Sequence, residues 1–244
     1  MANPTAAMLV IGDEILSGRT RDANTGYLAE RLTETGIALK EVRMVADDHD
    51  AIMAAVRALS GAWDHVFTSG GIGPTHDDIT ADAVAAAFGV PIDVREDARA
   101  LMAAHYEKSG IELNESRLRM ARIPDGAVLI DNPVSIAPGF TLGNVHVMAG
   151  VPAVFQAMVQ SVLATLQGGD PVISRTLRLD RAEGEIAGPL GEVAKRHPAV
   201  SIGSYPFIRQ GRFGANLVFR ATDTGLLNEA VAEFAAAFPD AAEI

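Results

Sequence analysis

The sequence predicts an α/β protein: a three-layer α/β/α domain on a mostly parallel sheet, followed by a small α+β domain. Over the first two thirds of the chain, short apolar runs alternate with amphipathic helical segments, the pattern of βαβ units. The last third changes to a strand–helix–strand–strand–helix order. The 244 residues are 48% hydrophobic and 21% charged, which is ordinary for a globular protein with a sizeable core.

Composition excludes several classes of function. The chain has no cysteine, so disulfides, thiolate metal sites and thiol nucleophiles are ruled out. A net charge of −11 matches nucleic acid and anionic membranes poorly, and no apolar stretch is long enough for a membrane span. The N-terminus lacks the features of a signal peptide. We therefore expect a cytoplasmic protein whose partner is a small molecule, with no nucleic acid and no membrane.

Three strand-and-helix units are expected to open the first domain. Asn24 can cap the first helix, and Gly36 ends it. Acidic residues crowd the start of the second helix, where the helix dipole favours negative charge. The third strand leads through a glycine-rich loop into the third helix. The three strands are expected at residues 6–11, 37–46 and 65–69.

The rest of the chain is predicted with the same signals. Residues 167–171, Gln-Gly-Gly-Asp-Pro, have the composition of a linker, so the domains are expected at 1–168 and 171–244. Net charge is −9 over residues 1–169 and −2 over the remainder, which favours a metal-assisted site in the first domain. Further elements of the first domain are two helices between 95 and 120, strands at 128–130 and over 140–148, and a helix at 152–166. The second domain is expected to contain strands at 174–179, 199–205 and 213–220 and helices at 183–196 and 226–238.

The strongest functional signal is the segment 68–80, Thr-Ser-Gly-Gly-Ile-Gly-Pro-Thr-His-Asp-Asp-Ile-Thr. Its three glycines lie between the carboxyl end of an apolar strand and a helix, where backbone N–H groups can approach a phosphate. The segment fits neither the Walker A pattern nor the dinucleotide pattern. The alternative is a tight turn in which Asp78 and Thr80 cap the helix.

Acidic residues follow the first two strands. Asp13 and Glu14 come directly after the first strand, and Asp47 and Asp48 end the second. Carboxylates at this edge of a sheet suit Mg²⁺, which prefers oxygen ligands and commonly also binds substrate phosphates. The alternatives are an ordinary polar loop for the first pair and helix capping for the second.

Two further loops can wall a pocket, and other catalytic patterns are missing. Residues 131–140 and 148–152 follow apolar runs and use Gly and Pro to fix their backbone paths. The six histidines show no zinc-binding spacing, and there is no G-x-S-x-G serine elbow. Arg117, Arg119 and Arg122 can reach an anionic ligand or form a solvated helix face. The second domain lacks the basic G-x-x-G loop of a KH module.

These motifs, in this order, carry a family resemblance over residues 6–167. The segments 12–18 (Gly-Asp-Glu-Ile-Leu-Ser-Gly), 24–25, 68–80 and 137–140 resemble the molybdopterin-binding-like domain of the CinA (competence/damage-inducible) family. More distantly, the chain is similar to MogA- and MoaB-type proteins and to the N-terminal domain of FAD synthase. Residues 149–152 read Ala-Gly-Val-Pro where the family has Pro-Gly-Val-Pro. The C-terminal deamidase domain of full-length CinA proteins has no counterpart in the sequence, so that activity is not expected of this chain.

The resemblance implies a pocket at the carboxyl ends of the strands and two classes of activity. The CinA branch implies a metal-dependent ADP-ribose pyrophosphatase using Mg²⁺, Mn²⁺ or Co²⁺. The alternatives are a non-catalytic protein that binds molybdopterin or a nucleotide, or a molybdopterin adenylyltransferase. Relatives of this fold imply a homodimer or homotrimer. The candidate catalytic residues are Asp78, Asp47 and Asp48; the metal candidates are Asp13, Glu14, Asp77 and Asp78; the phosphate- or nucleotide-binding candidates are Gly12, Asn24, Ser69, Gly70, Gly71, Gly73, Thr75, Thr80, Pro138 and Gly139.

Overall fold

The computed structural model describes residues 3–209 and 211–244 and divides the chain into two compact units, Met1–Gly169 and Asp170–Ile244. The strands of the first unit are β1 (Thr5–Ile11), β2 (Ala38–Val45), β3 (His65–Ser69), β4 (Ile92–Val94), β5 (Arg122–Pro124), β6 (Val128–Ile130), β7 (Gly139–Leu142) and β8 (Val145–Met148). Its helices are α1 (Asp13–Leu16), α2 (Asn24–Glu34), α3 (His49–Ala62), α4 (Thr80–Phe88), α5 (Glu96–Ser109), α6 (Glu115–Leu118) and α7 (Pro152–Leu163).

A six-stranded sheet in the order β2-β1-β3-β8-β7-β6 forms the centre of the first unit. The β2, β1, β3 and β8 strands run parallel, whereas β7 and β6 are antiparallel to their neighbours. Because the parallel strands share one direction, the loops that follow β1, β3 and β8 all meet at the same edge of the sheet.

Two hydrophobic layers cover the sheet, one on each face. The continuous apolar run of β1 serves both layers, since successive side chains of a strand point to opposite faces. Ala7, Leu9 and Ile11 pack with the buried residues of α3, α4 and α5. Met8 and Val10 pack on the other face with those of α2 and α7. The first unit is therefore a three-layer α/β/α domain.

The second unit is a small α+β domain. It contains β9 (Ile173–Leu179), α8 (Glu183–Arg196), β10 (Ser201–Arg209), β11 (Arg212–Ala221), α9 (Thr224–Ala237) and β12 (Ala242–Glu243). The strands form an antiparallel sheet in the order β10-β11-β9-β12. Its core joins the inward residues of β9 and β11 to the apolar faces of α8 and α9.

The predicted fold class is confirmed. Asn24 does not cap α2, because Ala23 is the N-cap residue and the Asn24 side chain binds Ser69 and Gly150 instead. The other differences are confined to short elements. The α1 helix is a single turn without a buried residue, so no apolar periodicity marks it in the sequence. The three-residue strands β4 and β5 form a separate sheet that is too short to show alternation. The second helix expected between residues 95 and 120 is one turn of α6 that continues into a 3₁₀ turn at Arg119–Ala121. Within residues 3–209 and 211–244, no helix is both long and apolar enough to span a bilayer.

Candidate functional site

A cleft of about 590 Å³ lies at the edge of the sheet where β1, β3 and β8 end. Gly12 follows β1, Gly70 follows β3 and Gly150 lies just beyond β8, and all three line the cleft. The loop between β6 and β7 contributes Asn132 and Ser135. The cleft thus occupies the position at which open α/β sheets bind their ligands.

The glycine loop that follows β3 has a backbone path that requires glycine. Gly70 and Gly71 have φ angles of 110° and 70°, which L-residues with a side chain rarely adopt. A Cβ on Gly70 would overlap the carbonyl oxygen of Ile11, and one on Gly71 would overlap the Thr80 hydroxyl. The loop is therefore pressed against β1 and the start of α4 by contacts that only glycine permits.

Thr80 fastens this loop from inside the protein. Its backbone N–H donates to the carbonyl of Gly71, and its hydroxyl donates to the carbonyl of Gly70, each over 3.0 Å. The Thr80 side chain is fully buried, so a ligand in the cleft does not meet it. The structure thus gives Thr80 a positioning role in place of the ligand contact expected from the sequence.

Hydrogen bonds between Asp78 and Thr75 hold the part of the glycine loop that follows Gly73. The Asp78 carboxylate accepts hydrogen bonds from the Thr75 N–H (2.8 Å) and the Thr75 hydroxyl (2.6 Å). A Cβ on Gly73 would lie 2.6 Å from the same carboxylate oxygen, so a larger residue here would have to displace the Asp78 side chain. Asp77 and Asp78 both line the cleft, and Asp78 also holds the turn. The alternative that Asp78 and Thr80 cap the helix is wrong, because Ile79 is the N-cap residue of α4 and no side chain in the described part of the chain caps that end.

Asp47 is half-buried and lines the acidic side of the cleft. Its carboxylate accepts a hydrogen bond from the Asp13 N–H (2.9 Å), which ties the end of β2 to the start of α1. Burial raises the pKa of Asp47 above its ordinary value, and the nearby negative charges of Asp13, Glu14 and Asp77 add to this rise. A carboxylate under such repulsion is a suitable partner for a cation or for a proton.

The other acidic candidates are divided between cleft and surface. Asp13 and Glu14 are both exposed, but only Glu14 lines the cleft. Asp13 acts on Asp47 through its backbone N–H and its nearby charge. Asp48 is exposed and caps α3 by accepting a hydrogen bond from the Ala51 N–H (2.8 Å). Asp48 does not line the cleft in this structure, so the capping alternative describes its contacts better than the catalytic one.

Asn24 and Ser69 do not line the cleft but line a smaller neighbouring cavity of about 60 Å³, together with Gly150. The Asn24 side-chain amide donates to the Ser69 hydroxyl (2.7 Å) and to the Gly150 carbonyl (2.8 Å). Both side chains are buried, and the Asn24 carbonyl oxygen has no hydrogen-bond partner among the described residues. These contacts join the loop after β3 to the loop after β8 and fix the width of the cleft, which the motif at 24–25 did not by itself indicate.

The loop between β6 and β7 contains residues that the sequence pattern did not single out. The buried Asn132 side chain donates to the Ser135 hydroxyl and to the Ala137 carbonyl, each over 2.7 Å. Among the predicted residues of this loop, Pro138 lines a smaller neighbouring cavity, and Gly139 is buried at the start of β7. An Asn followed by Ser after an apolar run is the signal that could have identified this pair.

The fold and the cleft together define a class of protein: an α/β domain with a glycine-loop cleft at the carboxyl edge of its parallel strands. Residues 7–168 match the family described as "Probable molybdopterin binding domain", and residues 171–244 match "FAD synthase, middle domain". The chain belongs to the molybdopterin-binding-domain family, and its first unit is a CinA-like member of that family.

Individual relatives agree with this assignment. A CinA-like protein of Anaeromyxobacter dehalogenans is 37% identical over 155 residues, which are 62% of this chain and 38% of that protein. A protein of Archaeoglobus fulgidus is 33% identical over 201 residues, covering 82% of this chain and 84% of the relative. The solved structure of CinA from Thermoplasma acidophilum matches with a TM-score of 0.61 and 35% identity, covering 66% of this chain and 97% of the other.

Proposed function

We propose that the first unit is a metal-dependent pyrophosphatase that cleaves ADP-ribose or a similar nucleoside diphosphate derivative. The observation that carries the proposal is one cleft that combines a glycine loop with the carboxylates of Glu14, Asp47 and Asp77. Glycine N–H groups bind phosphate oxygens, and carboxylates hold the cation that a phosphoryl-transfer reaction needs.

The candidate ligands fit a hard divalent cation whose coordination is completed by the substrate. All the candidate ligands are oxygens. Burial raises the pKa of Asp47, repulsion from neighbouring carboxylates adds to the rise, and a cation would relieve that repulsion. Among the residues that the structure describes, no three His, Asp or Glu side chains converge on one point. This agrees with Mg²⁺, which is commonly held by one or two carboxylates together with waters and substrate phosphates. Glu14 and Asp47 are the proposed holders, with Mn²⁺ and Co²⁺ as alternatives to Mg²⁺.

The protein's own groups have separate roles in the proposed hydrolysis. The N–H groups of Gly71 and Gly73 bind a phosphate and fix its orientation. Asp47 lines the cleft beside the glycine loop and would accept a proton from the attacking water. A divalent cation bound beside it supplies positive charge to the phosphate oxygens and acidifies the water.

Turnover of ADP-ribose tests this function. The purified protein is incubated with ADP-ribose and Mg²⁺, Mn²⁺ or Co²⁺, and AMP and ribose 5-phosphate are quantified with an EDTA control. We expect metal-dependent release of both products. Asp47→Asn should reduce the rate by about 100-fold or more, because it removes both a ligand and a proton acceptor. Asp48→Asn is the matched control, since asparagine preserves the α3 cap, and should retain the rate.

The second candidate is a protein that binds molybdopterin or a nucleotide without hydrolysing it. The family description favours it directly, and the polar loop of Asn132 and Ser135 offers a rigid set of amide and hydroxyl groups at the cleft. Absence of ADP-ribose turnover with all three metals would overturn the pyrophosphatase proposal and favour binding. Pterin fluorescence in the purified protein would then identify the ligand, and transfer of AMP from ATP would reveal an adenylyltransferase.

A further inference from the structure

The cleft and its glycine loop pose an electrostatic problem for an anionic ligand. Glu14, Asp47, Asp77 and Asp78 line the cleft, and none of its lining residues in the described chain is lysine or arginine. Repulsion from four carboxylates opposes phosphate binding, and a metal held by two of them offsets only part of it. A fixed positive charge at the other side of the glycine loop would correct this imbalance.

Arg119 lies at that position. A cavity of about 20 Å³, large enough for one water or one phosphate oxygen, shares Gly71, Gly73 and Asp78 with the cleft and is also lined by Arg119. One terminal nitrogen of the guanidinium donates to the carbonyl of Asp78 (3.3 Å), which places the side chain directly against the loop.

The guanidinium of Arg119 is incompletely paired. Its Nε is buried and has no hydrogen-bond partner within the described part of the chain. A buried N–H without an acceptor is unfavourable, and in native proteins it commonly indicates a missing ligand or water. An anionic oxygen in the adjoining cavity would lie beside the guanidinium and place opposite charges in contact.

The two neighbouring arginines are already occupied. Arg122 also lines the small cavity, but it makes two hydrogen bonds with the Asp82 carboxylate (2.7 and 2.6 Å), which neutralises its charge. Arg117 donates to the carbonyl of Glu112 (2.6 Å) and lies over the ring of Tyr106. Of the three arginines in this segment, Arg119 alone combines contact with the glycine loop and an unpaired donor.

We propose that Arg119 determines the specificity of the site for phosphorylated ligands, by binding a phosphate oxygen at the glycine loop. This inference rests on the proposed function in one respect, that the ligand carries a phosphate. It applies equally to a nucleotide that is cleaved and to a phosphorylated pterin that is only bound.

Calorimetric titration with three probes tests the proposal. The native protein and the variants Arg119→Met, Arg119→Lys and Arg117→Met are titrated with inorganic pyrophosphate, AMP and adenosine. We expect Arg119→Met to weaken pyrophosphate and AMP binding by about tenfold or more and to leave adenosine binding unchanged. Arg119→Lys should recover part of the lost affinity, because lysine keeps the positive charge but lacks the planar guanidinium group. Arg117→Met should bind all probes as the native protein does.

A second readout separates ligand contact from a structural role. The affinity of the native protein for pyrophosphate should fall with added salt, and this dependence should be weaker in Arg119→Met, which has lost one opposite charge. Unchanged affinities in Arg119→Met overturn the proposal, as does an equal loss for AMP and adenosine or a native protein that binds neither pyrophosphate nor AMP. Arg119-dependent binding without ADP-ribose turnover would contradict only the pyrophosphatase, and turnover with Arg119-independent binding would contradict only this inference.

Discussion

At the scale of single residues, Gly71 shows two constraints that act on the same backbone position. Its φ of 70° disfavours any residue with a side chain, and the space that its Cβ would occupy holds the Thr80 hydroxyl. Gly18 has nearly the same φ, 71°, but a Cβ there would contact nothing within 4 Å. Substitution of these two glycines therefore distinguishes the cost of backbone strain, which both positions share, from the cost of close packing, which only Gly71 has.

We expect Gly71→Ala to be more damaging than Gly18→Ala. The backbone strain, about 1–3 kcal/mol, should be common to both variants. Gly71→Ala must in addition displace Thr80 and release the loop, so pyrophosphate binding should fall sharply in this variant alone. Urea denaturation gives the stability of each protein, and titration gives the affinity. Equal losses in both variants would show that the contact with Thr80 has no separate effect.

Residues adjacent in sequence can also have different environments, and this limits prediction of the site. Asp47 and Asp48 are equivalent in a sequence pattern that places both at the end of a strand. The structure directs Asp47 into the cleft and leaves Asp48 at the helix start, because the chain bends at Asp47 between the end of β2 and the start of α3. A bend of this kind leaves no pattern in the sequence. The glycines of the loop, in contrast, were predictable because the backbone itself requires them.

At the scale of elements, Asp48 connects the end of β2 to the stability of α3. The cap satisfies one N–H in the first turn of the helix, whose apolar residues Ile52, Val56 and Leu59 are part of the core. We expect Asp48→Ala to lower the free energy of unfolding by about 1 kcal/mol, and Asp48→Ser to restore most of it. Ligand affinity should be unchanged in both, as measured by titration with AMP. If Asp48→Ser had native stability but bound AMP more weakly, Asp48 would belong to the binding site.

The elements that the sequence predicted share a physical signature. β1 and β3 are apolar on both faces because helices cover both sides of the sheet, so they appear as continuous runs. The α2 and α3 helices bury one face and show the helical period. The α1 helix, without a buried residue, leaves no such trace. Prediction therefore succeeded where burial is periodic and failed where an element is held by backbone hydrogen bonds at the rim of the cleft.

At the scale of the whole molecule, the two units differ in how acid should affect them. The first contains His146, which is buried in β8 beside Phe67, with its Nδ1 3.0 Å from the Thr141 hydroxyl and its Nε2 3.3 Å from Nδ1 of His65. Burial lowers the pKa of His146 from 6.5 to about 3, and a positive charge on His65 contributes to this shift. The neutral imidazole is therefore the form that the fold accommodates.

The sign of the resulting pH dependence follows from proton binding. Between pH 6.5 and about 3 the unfolded chain binds a proton at His146 that the folded protein excludes. The unfolded state is therefore favoured as the pH falls through this window, and the stabilisation is fully present only above pH 6.5. The slope attributable to this residue approaches about 1.4 kcal/mol per pH unit.

We expect His146→Gln to flatten the acid dependence of the first unit. Glutamine cannot be protonated but can still form a hydrogen bond with Thr141. Trp63 is the only tryptophan of the chain and lies in the first unit, so its fluorescence during urea denaturation reports on that unit alone. The free energy of unfolding should fall less between pH 6.5 and 4.5 in the variant than in the native protein, while His197→Gln, in the second unit, should leave the Trp63 transition unchanged. If both slopes were equal, the proton responsible for acid destabilisation would bind elsewhere. The buried His146 would then be uncoupled from the stability of the domain that contains the cleft.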